Sequence, residues 1–124
     1  RMPSKFKAEL GANFVITKGN SGNLFVFSAT EFSVLHEKMI HIPLFDEEAQ
    51  KPIRKFLSSA FEAEEDNQGR VLLPKELVKF AGIEKNLVFV GLGNRVEIWA
   101  EEKWEEEQDK EENTDLSILA KYGV

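Results

Sequence analysis

A repeat of one small structural unit is the feature that most restricts how this chain can fold. Pro3–Gly11 resembles Pro74–Gly82, and each stretch is followed by an apolar segment, Phe14–Thr17 or Leu87–Val90. A turn rich in glycine and asparagine and a second apolar segment come next in both copies, at an offset of 71 to 73 residues. The order of elements matches although the identity is low, so the sequence predicts a tandem duplication of one αβ unit.

Local signals add helices to this unit. Ser28-Ala29-Thr30-Glu31 has the spacing of a capping box, which predicts a helix that begins there. Four residues recur at helical spacing in that helix and are expected to face the core: Phe32, Leu35, His36 and Met39. Asp46 is expected to cap a further helix over about residues 47–58, which Pro52 would bend or shorten.

The second half begins with a strand and a turn. Phe61–Glu65 alternates apolar and acidic residues, as a half-exposed strand does. Gly69 then turns the chain back into Val71–Leu73, which predicts a hairpin, and Pro74 starts a short helix. An exposed acidic helix is expected over about residues 101–112, followed by a short C-terminal helix capped by Asn113 or Thr114.

The acidic character of the chain is confined to its C-terminal segment. Residues 100–124 contain nine acidic and three basic side chains, which accounts for the whole net charge of −6. Residues 1–99 are balanced, with thirteen of each sign. The net charge therefore does not exclude a basic surface on the rest of the molecule.

Asp66 and Arg70 bracket the turn at Gly69, and their side chains can meet across it. An arginine held in one direction suits contact with a phosphate or a base edge. The other interpretation is a surface ion pair that only shapes the turn, and such a pair contributes roughly 0–1 kcal/mol. The residues alone favour this second interpretation.

The order of residues from Asp66 to Pro74 resembles the DxxGR signature of the MraZ family of bacterial regulators. Val88–Trp99 is similar to the second-half hairpin of that family, which ends in glutamate, isoleucine and tryptophan. Met2–Lys7 is similar to the end of the strand and the helix that follow the first-half motif, and the resemblance covers about residues 1–105. It implies an α+β fold in which tandem-duplicated βαββ-type units form a swapped-hairpin β-barrel with flanking helices, like that of the AbrB regulators.

The resemblance also implies a function. It points to a sequence-specific, DNA-binding transcriptional regulator of repressor type, located in the cytoplasm at the nucleoid. Such a protein acts as a ring-shaped homo-oligomer on short direct repeats in the promoter of the cell-division and cell-wall gene cluster. The candidate DNA-contacting residues are Arg70, oriented by Asp66 on the turn at Gly69, and the basic residues Lys5, Lys7 and Arg1. Solvated side chains on an exposed face are an equal alternative for the two lysines.

The N-terminus departs from the family pattern. When the two copies are aligned on their prolines, Arg1 lies opposite Leu72, so the first DxxGR motif and its hairpin strand are expected to be missing from this chain. Arg1 as the motif arginine, followed by a gap, is the alternative. We divide the chain into an incomplete first half (1–45), a helical connector (46–60), a second half with the acidic helix (61–112) and a tail helix (113–124).

Other classes of function gain little support. His36 and His41 do not share a helical face and the chain has no Cys, so no metal site is expected. The turn at Gly91–Gly93 lacks the third glycine of a dinucleotide loop and precedes a strand. No catalytic constellation is present, so we expect no enzyme, cofactor or small-molecule substrate, and no apolar run reaches the roughly 20 residues of a membrane span.

A second non-catalytic function stays open. The same fold could serve as an oligomeric protein-interaction scaffold, without direct DNA readout, whose acidic helix docks a partner. The salt dependence of binding distinguishes the two functions, because affinity for DNA falls steeply with salt.

Overall fold

The computed structural model describes residues 2–124, and its helices and strands follow the order that the repeat predicts. The first half contains α1 (Ser4–Leu10), β1 (Asn13–Lys18), β2 (Leu24–Ser28) and α2 (Ala29–Ile40). Two connecting elements follow, α3 (Glu47–Ser59) and β3 (Phe61–Glu64). The second half contains α4 (Lys75–Ala81), β4 (Leu87–Gly91), β5 (Val96–Ala100) and α5 (Glu101–Glu111), and a 3₁₀ helix lies near the C-terminus (Leu116–Tyr122).

The strands form one antiparallel sheet in the order β3-β1-β2-β5-β4. The two hairpins join through β2 and β5, in a register of three pairs: Leu24–Ile98, Phe25–Glu97 and Val26–Val96. A shift of 72 residues converts the first pair into the third, whereas Phe25 lies opposite its own equivalent, Glu97. The hairpins are therefore related by an approximate two-fold axis through the Phe25–Glu97 pair.

The main core lies on the face of the sheet that α1 and α4 cover. Phe6 and Leu10 of α1 and Leu77 and Ala81 of α4 are buried there. Alternate residues of the central strands point to this face and complete the core: Phe14, Ile16, Leu24, Val26, Val96 and Ile98. Equivalent helices of the two halves thus cover the same side of one continuous sheet.

Aromatic pairs anchor the remaining helices on the opposite face. Phe27 packs against Phe32 of α2 with 6.3 Å between ring centroids, and Trp99 packs against Trp104 of α5 at 5.4 Å. The tryptophans follow the two phenylalanines by 72 residues, so the same contact between strand and helix occurs in each half. Phe56 of α3 joins the first pair, at 5.9 Å from Phe27.

One lysine ties the halves together. The Nζ of Lys103 on α5 donates to the carbonyl oxygen of Gly22 at 3.1 Å and to that of Phe80 at 3.3 Å. Gly22 lies in the β1–β2 turn and Phe80 in α4, so the ammonium joins backbone from both halves.

Several local predictions are confirmed. The Ser28 hydroxyl accepts a hydrogen bond from the Glu31 N–H at 3.1 Å, and α2 begins at the next residue. The Asp46 carboxylate caps α3 by accepting from the Ala49 N–H at 3.2 Å. The predicted α+β class is confirmed as well, and no helix within residues 2–124 is long and apolar enough to cross a membrane. The swapped-hairpin barrel stays a prediction.

Other local predictions are wrong. Val71–Leu73 forms no strand; Val71 and Leu73 pack against the core without a ladder partner among the described residues, and Pro74 lacks an N–H with which to extend one. Pro52 does not shorten α3, because the contact of Phe56 with the aromatic pair holds the second half of that helix in place. His36 is exposed rather than core-facing, since it lies at the outer edge of the α2 stripe.

The C-terminal helix also differs from expectation. It is a 3₁₀ helix, and its cap is Asp115 rather than Asn113 or Thr114. The Asp115 carboxylate accepts from the Ser117 N–H and from the Ser117 hydroxyl, each at 2.9 Å. These bonds hold the pKa of Asp115 below its usual value, the backbone bond having the larger effect.

Candidate nucleic-acid interface

The loop that follows β3 is organised around the carboxylate of Asp66. Its Oδ1 accepts hydrogen bonds from the backbone N–H groups of Gln68 at 2.8 Å and Arg70 at 2.9 Å. The backbone closes the same loop, because the Asp66 N–H donates to the Arg70 carbonyl at 2.8 Å. The bond from the Arg70 N–H, followed by that from Gln68, lowers the pKa of Asp66 from its ordinary value of 3.8.

Gly69 provides the backbone conformation that this loop needs. Its φ is +74°, in the left-handed region that residues with a Cβ rarely adopt. Its N–H donates to the Asp66 carbonyl at 3.0 Å, so the turn is closed inside the wider Asp66–Arg70 ring. The predicted turn at Gly69 is therefore present, although no strand follows it.

The Arg70 side chain is held at one end and open at the other. Its Nε lies 3.3 Å from Oδ2 of Asp66, and the side chain is 65% exposed. The two terminal nitrogens of the guanidinium have no hydrogen-bond partner among the residues that the structure describes. A guanidinium anchored through Nε presents these two donors in a fixed fork, which is the geometry that phosphates and guanine edges accept.

Helix α1 lies beside the base of this loop, although it belongs to the other half of the chain. The Nζ of Lys7 is 3.2 Å from Oε2 of Glu65, the residue just before Asp66. Lys5 is exposed, and its Nζ lies 5.0 Å from the centroid of the Phe6 ring. The structure thus brings Lys7 to the loop, while Arg1 lies outside the described residues.

Glu65 is the residue that the sequence did not reveal. It neutralises Lys7, so the cations nearest the loop that could face an anion without breaking an ion pair are Arg70 and Lys5. The Lys7–Glu65 contact spans 58 positions of the chain, and no local pattern reports a contact of that separation.

A second polar cluster lies on the two-fold axis of the sheet. Glu97 is buried, and its Oε1 accepts from the Trp99 indole N–H at 3.0 Å. Its Oε2 accepts from Arg95, with Nε at 3.0 Å and a terminal nitrogen at 2.9 Å. The Arg95 guanidinium also lies over the Phe25 ring, 5.1 Å from its centroid. Every donor and acceptor is occupied, so this cluster is a structural element and not a second exposed contact site.

Fold and site together define a class of protein: a duplicated α+β domain with one antiparallel sheet and an arginine presented on a glycine turn. A family model described as "MraZ protein, putative antitoxin-like" matches residues 56–119. The protein named transcriptional regulator MraZ of Clostridium acetobutylicum is 43% identical over 119 residues, which cover 96% of this chain and 82% of that protein. The protein of the same name from Caldanaerobacter subterraneus is 45% identical over 117 residues, 94% of this chain and 80% of that protein.

The chain therefore belongs to the MraZ family, as the resemblance of its motifs predicts. The relatives carry the name of transcriptional regulators, and this places the chain among proteins that regulate transcription.

Proposed function

We propose that this protein is a sequence-specific DNA-binding regulator of repressor type. The observation that carries the proposal is the Asp66 carboxylate, which fixes the loop backbone and the Nε of Arg70 and leaves the terminal guanidinium nitrogens open. Arg70 would read a guanine edge in the major groove. Lys5 and backbone N–H groups would position the phosphates, and Lys7 would join them where its pair with Glu65 opens.

The proposed target is a set of short direct repeats in the promoter of a cell-division and cell-wall gene cluster, which the protein would reach in the cytoplasm at the nucleoid. One loop offers few contacts, so useful affinity needs several loops that bind together. A ring of identical subunits supplies this, because each further contact becomes intramolecular once the first has formed. We further propose that the sheet belongs to a swapped-hairpin barrel whose halves span 1–45 and 61–112.

Arg70→Ala tests the role of the loop. Fluorescence anisotropy with direct-repeat DNA should show an affinity loss of about 5- to 100-fold, the range expected for one bidentate base contact. Arg70→Lys should recover only part of it, because an ammonium keeps the charge but loses the fork. Arg54→Ala is the matched control: Arg54 is an exposed arginine on α3, away from the loop, and its loss should leave the affinity unchanged.

The salt dependence of the same assay separates DNA binding from the scaffold alternative. Affinity should fall steeply between low and physiological salt, since each phosphate contact releases counterions. An affinity for repeat DNA that is equal in the wild type and Arg70→Ala would remove the loop from the interface. A protein that shows no salt-dependent affinity for any duplex would refute the proposed function as a whole.

A further inference from the structure

The C-terminal 3₁₀ helix carries apolar side chains that its own chain leaves exposed. Residues three apart eclipse one another in a 3₁₀ helix, so Leu116, Leu119 and Tyr122 form one stripe, which we call the tail stripe. Leu116 is 70% exposed and Tyr122 is 72% exposed. The Asp115 cap and the left-handed Gly123 fix both ends of the helix, so the stripe is already formed before it meets a partner.

A groove of matching character lies elsewhere on the molecule. It is a cavity of about 460 Å³ between α2, α3 and the β1–β2 hairpin. We call it the α2–α3 groove and define it by its apolar lining: Phe25, Met39, Ile42, Pro52, Ile53 and Phe56. A cavity of this size is large enough to receive a few large apolar side chains.

Charge is complementary between the two surfaces. Lys18 and Lys55 line the α2–α3 groove. The tail stripe follows Glu111 and Glu112 and belongs to the segment with nine acidic and three basic residues. An acidic segment that approaches a basic rim is favoured in orientation and in rate of encounter.

We propose that the tail stripe of one copy docks in the α2–α3 groove of a second copy of this chain. The stripe follows α5, which packs on β4 and β5, whereas the groove lies at β1 and β2 in the other half. A contact between two different patches of identical subunits is head-to-tail, and a head-to-tail contact that closes produces a ring. The inference deepens the proposed function, whose ring-shaped assembly it rests on, and supplies the contact between neighbours.

Cysteine cross-linking tests the contact directly, because the chain has no cysteine of its own. Leu116→Cys mixed with Ile42→Cys should give a cross-linked dimer under mild oxidation. Leu116→Cys mixed with Val34→Cys is the matched control and should give none, since Val34 is exposed on α2 but does not line the groove. The double variant Leu116→Cys/Ile42→Cys should give a ladder of multimers.

Docking of the tail into the groove of its own chain would overturn the proposal. It would cross-link the double variant as a monomer and leave the mixture of single variants uncross-linked. A mixture that stays uncross-linked while the wild type is oligomeric would also overturn it, and so would a wild type that is monomeric by light scattering.

A charge placed in the stripe gives a second measurement. Leu116→Asp should reduce the mass of the assembly at least two-fold in light scattering, while Val34→Asp keeps the wild-type mass. An unchanged mass for Leu116→Asp contradicts the proposal. DNA affinity is measured separately: cross-linking without any DNA binding would refute the proposed function and leave the tail contact standing.

Discussion

Replacement of Glu97 by alanine is expected to lower the free energy of unfolding by about 2–4 kcal/mol. The indole N–H of the buried Trp99 loses its acceptor, and a buried donor without a partner costs about 1–3 kcal/mol. Arg95 loses its carboxylate as well; breaking a fully buried pair costs about 3–5 kcal/mol, but its side chain is 28% exposed and water recovers part of this. The loss of Glu97 also relieves the cost of burying its own charge, so the total lies below the sum.

Urea denaturation at a fixed protomer concentration measures this cost, because the stability of an oligomer depends on concentration. Glu97→Gln should cost about half as much as Glu97→Ala, since an amide oxygen can still accept from Trp99. A double-mutant cycle with Arg95→Ala should give a coupling of about 1 kcal/mol or more. A cost for Glu97→Ala below about 0.5 kcal/mol, the value typical of an exposed pair, would refute the assignment of this cluster as a buried support of the sheet.

Three further predictions concern the loop and the junction of the halves. Gly69→Ala should destabilise the protein by about 1–2 kcal/mol in thermal unfolding because φ is +74° there, and Gly69→Asn should cost less; equal stabilities would contradict a strained turn. Lys103→Met should cost about 1–3 kcal/mol in urea, the loss of charged hydrogen bonds to Gly22 and Phe80, whereas the exposed Lys110→Met should cost nothing measurable. The lowered pKa of Asp66 contributes stability above pH 3.8 that is lost as the pH falls through the folded-state pKa. The stability difference between the wild type and Asp66→Asn should therefore shrink in acid, and a difference that is constant with pH would contradict this.

The features that the sequence predicts correctly are local ones. Ser28 and Asp46 cap the helices that follow them because the cap and its backbone donor lie three residues apart. The turn at Gly69 and its Asp66–Arg70 contact are predicted for the same reason. The repeat extends this local knowledge to the architecture, since two equivalent hairpins can share one sheet.

The features that the sequence does not predict depend on contacts between distant residues. Lys103 reaches Gly22 across 81 positions, and nothing near either residue reports the contact. Val71–Leu73 shows the converse error. Its alternating pattern correctly indicates that Val71 and Leu73 face the core while Leu72 is exposed. A pattern of burial, however, does not show whether a neighbouring strand is present to pair with the backbone.

The pairing of β3 with β1 explains why the candidate contact surface is built from both halves. β3 precedes the second repeat in sequence, yet its ladder partner is the first strand of the first repeat. The loop that leaves β3 is therefore carried to α1, where Glu65 meets Lys7. Arg70 depends on its local ring for orientation and on the first half for position. It follows that neither half alone can present this loop as the whole chain does, and that the duplication is a requirement of the site and not only of the fold.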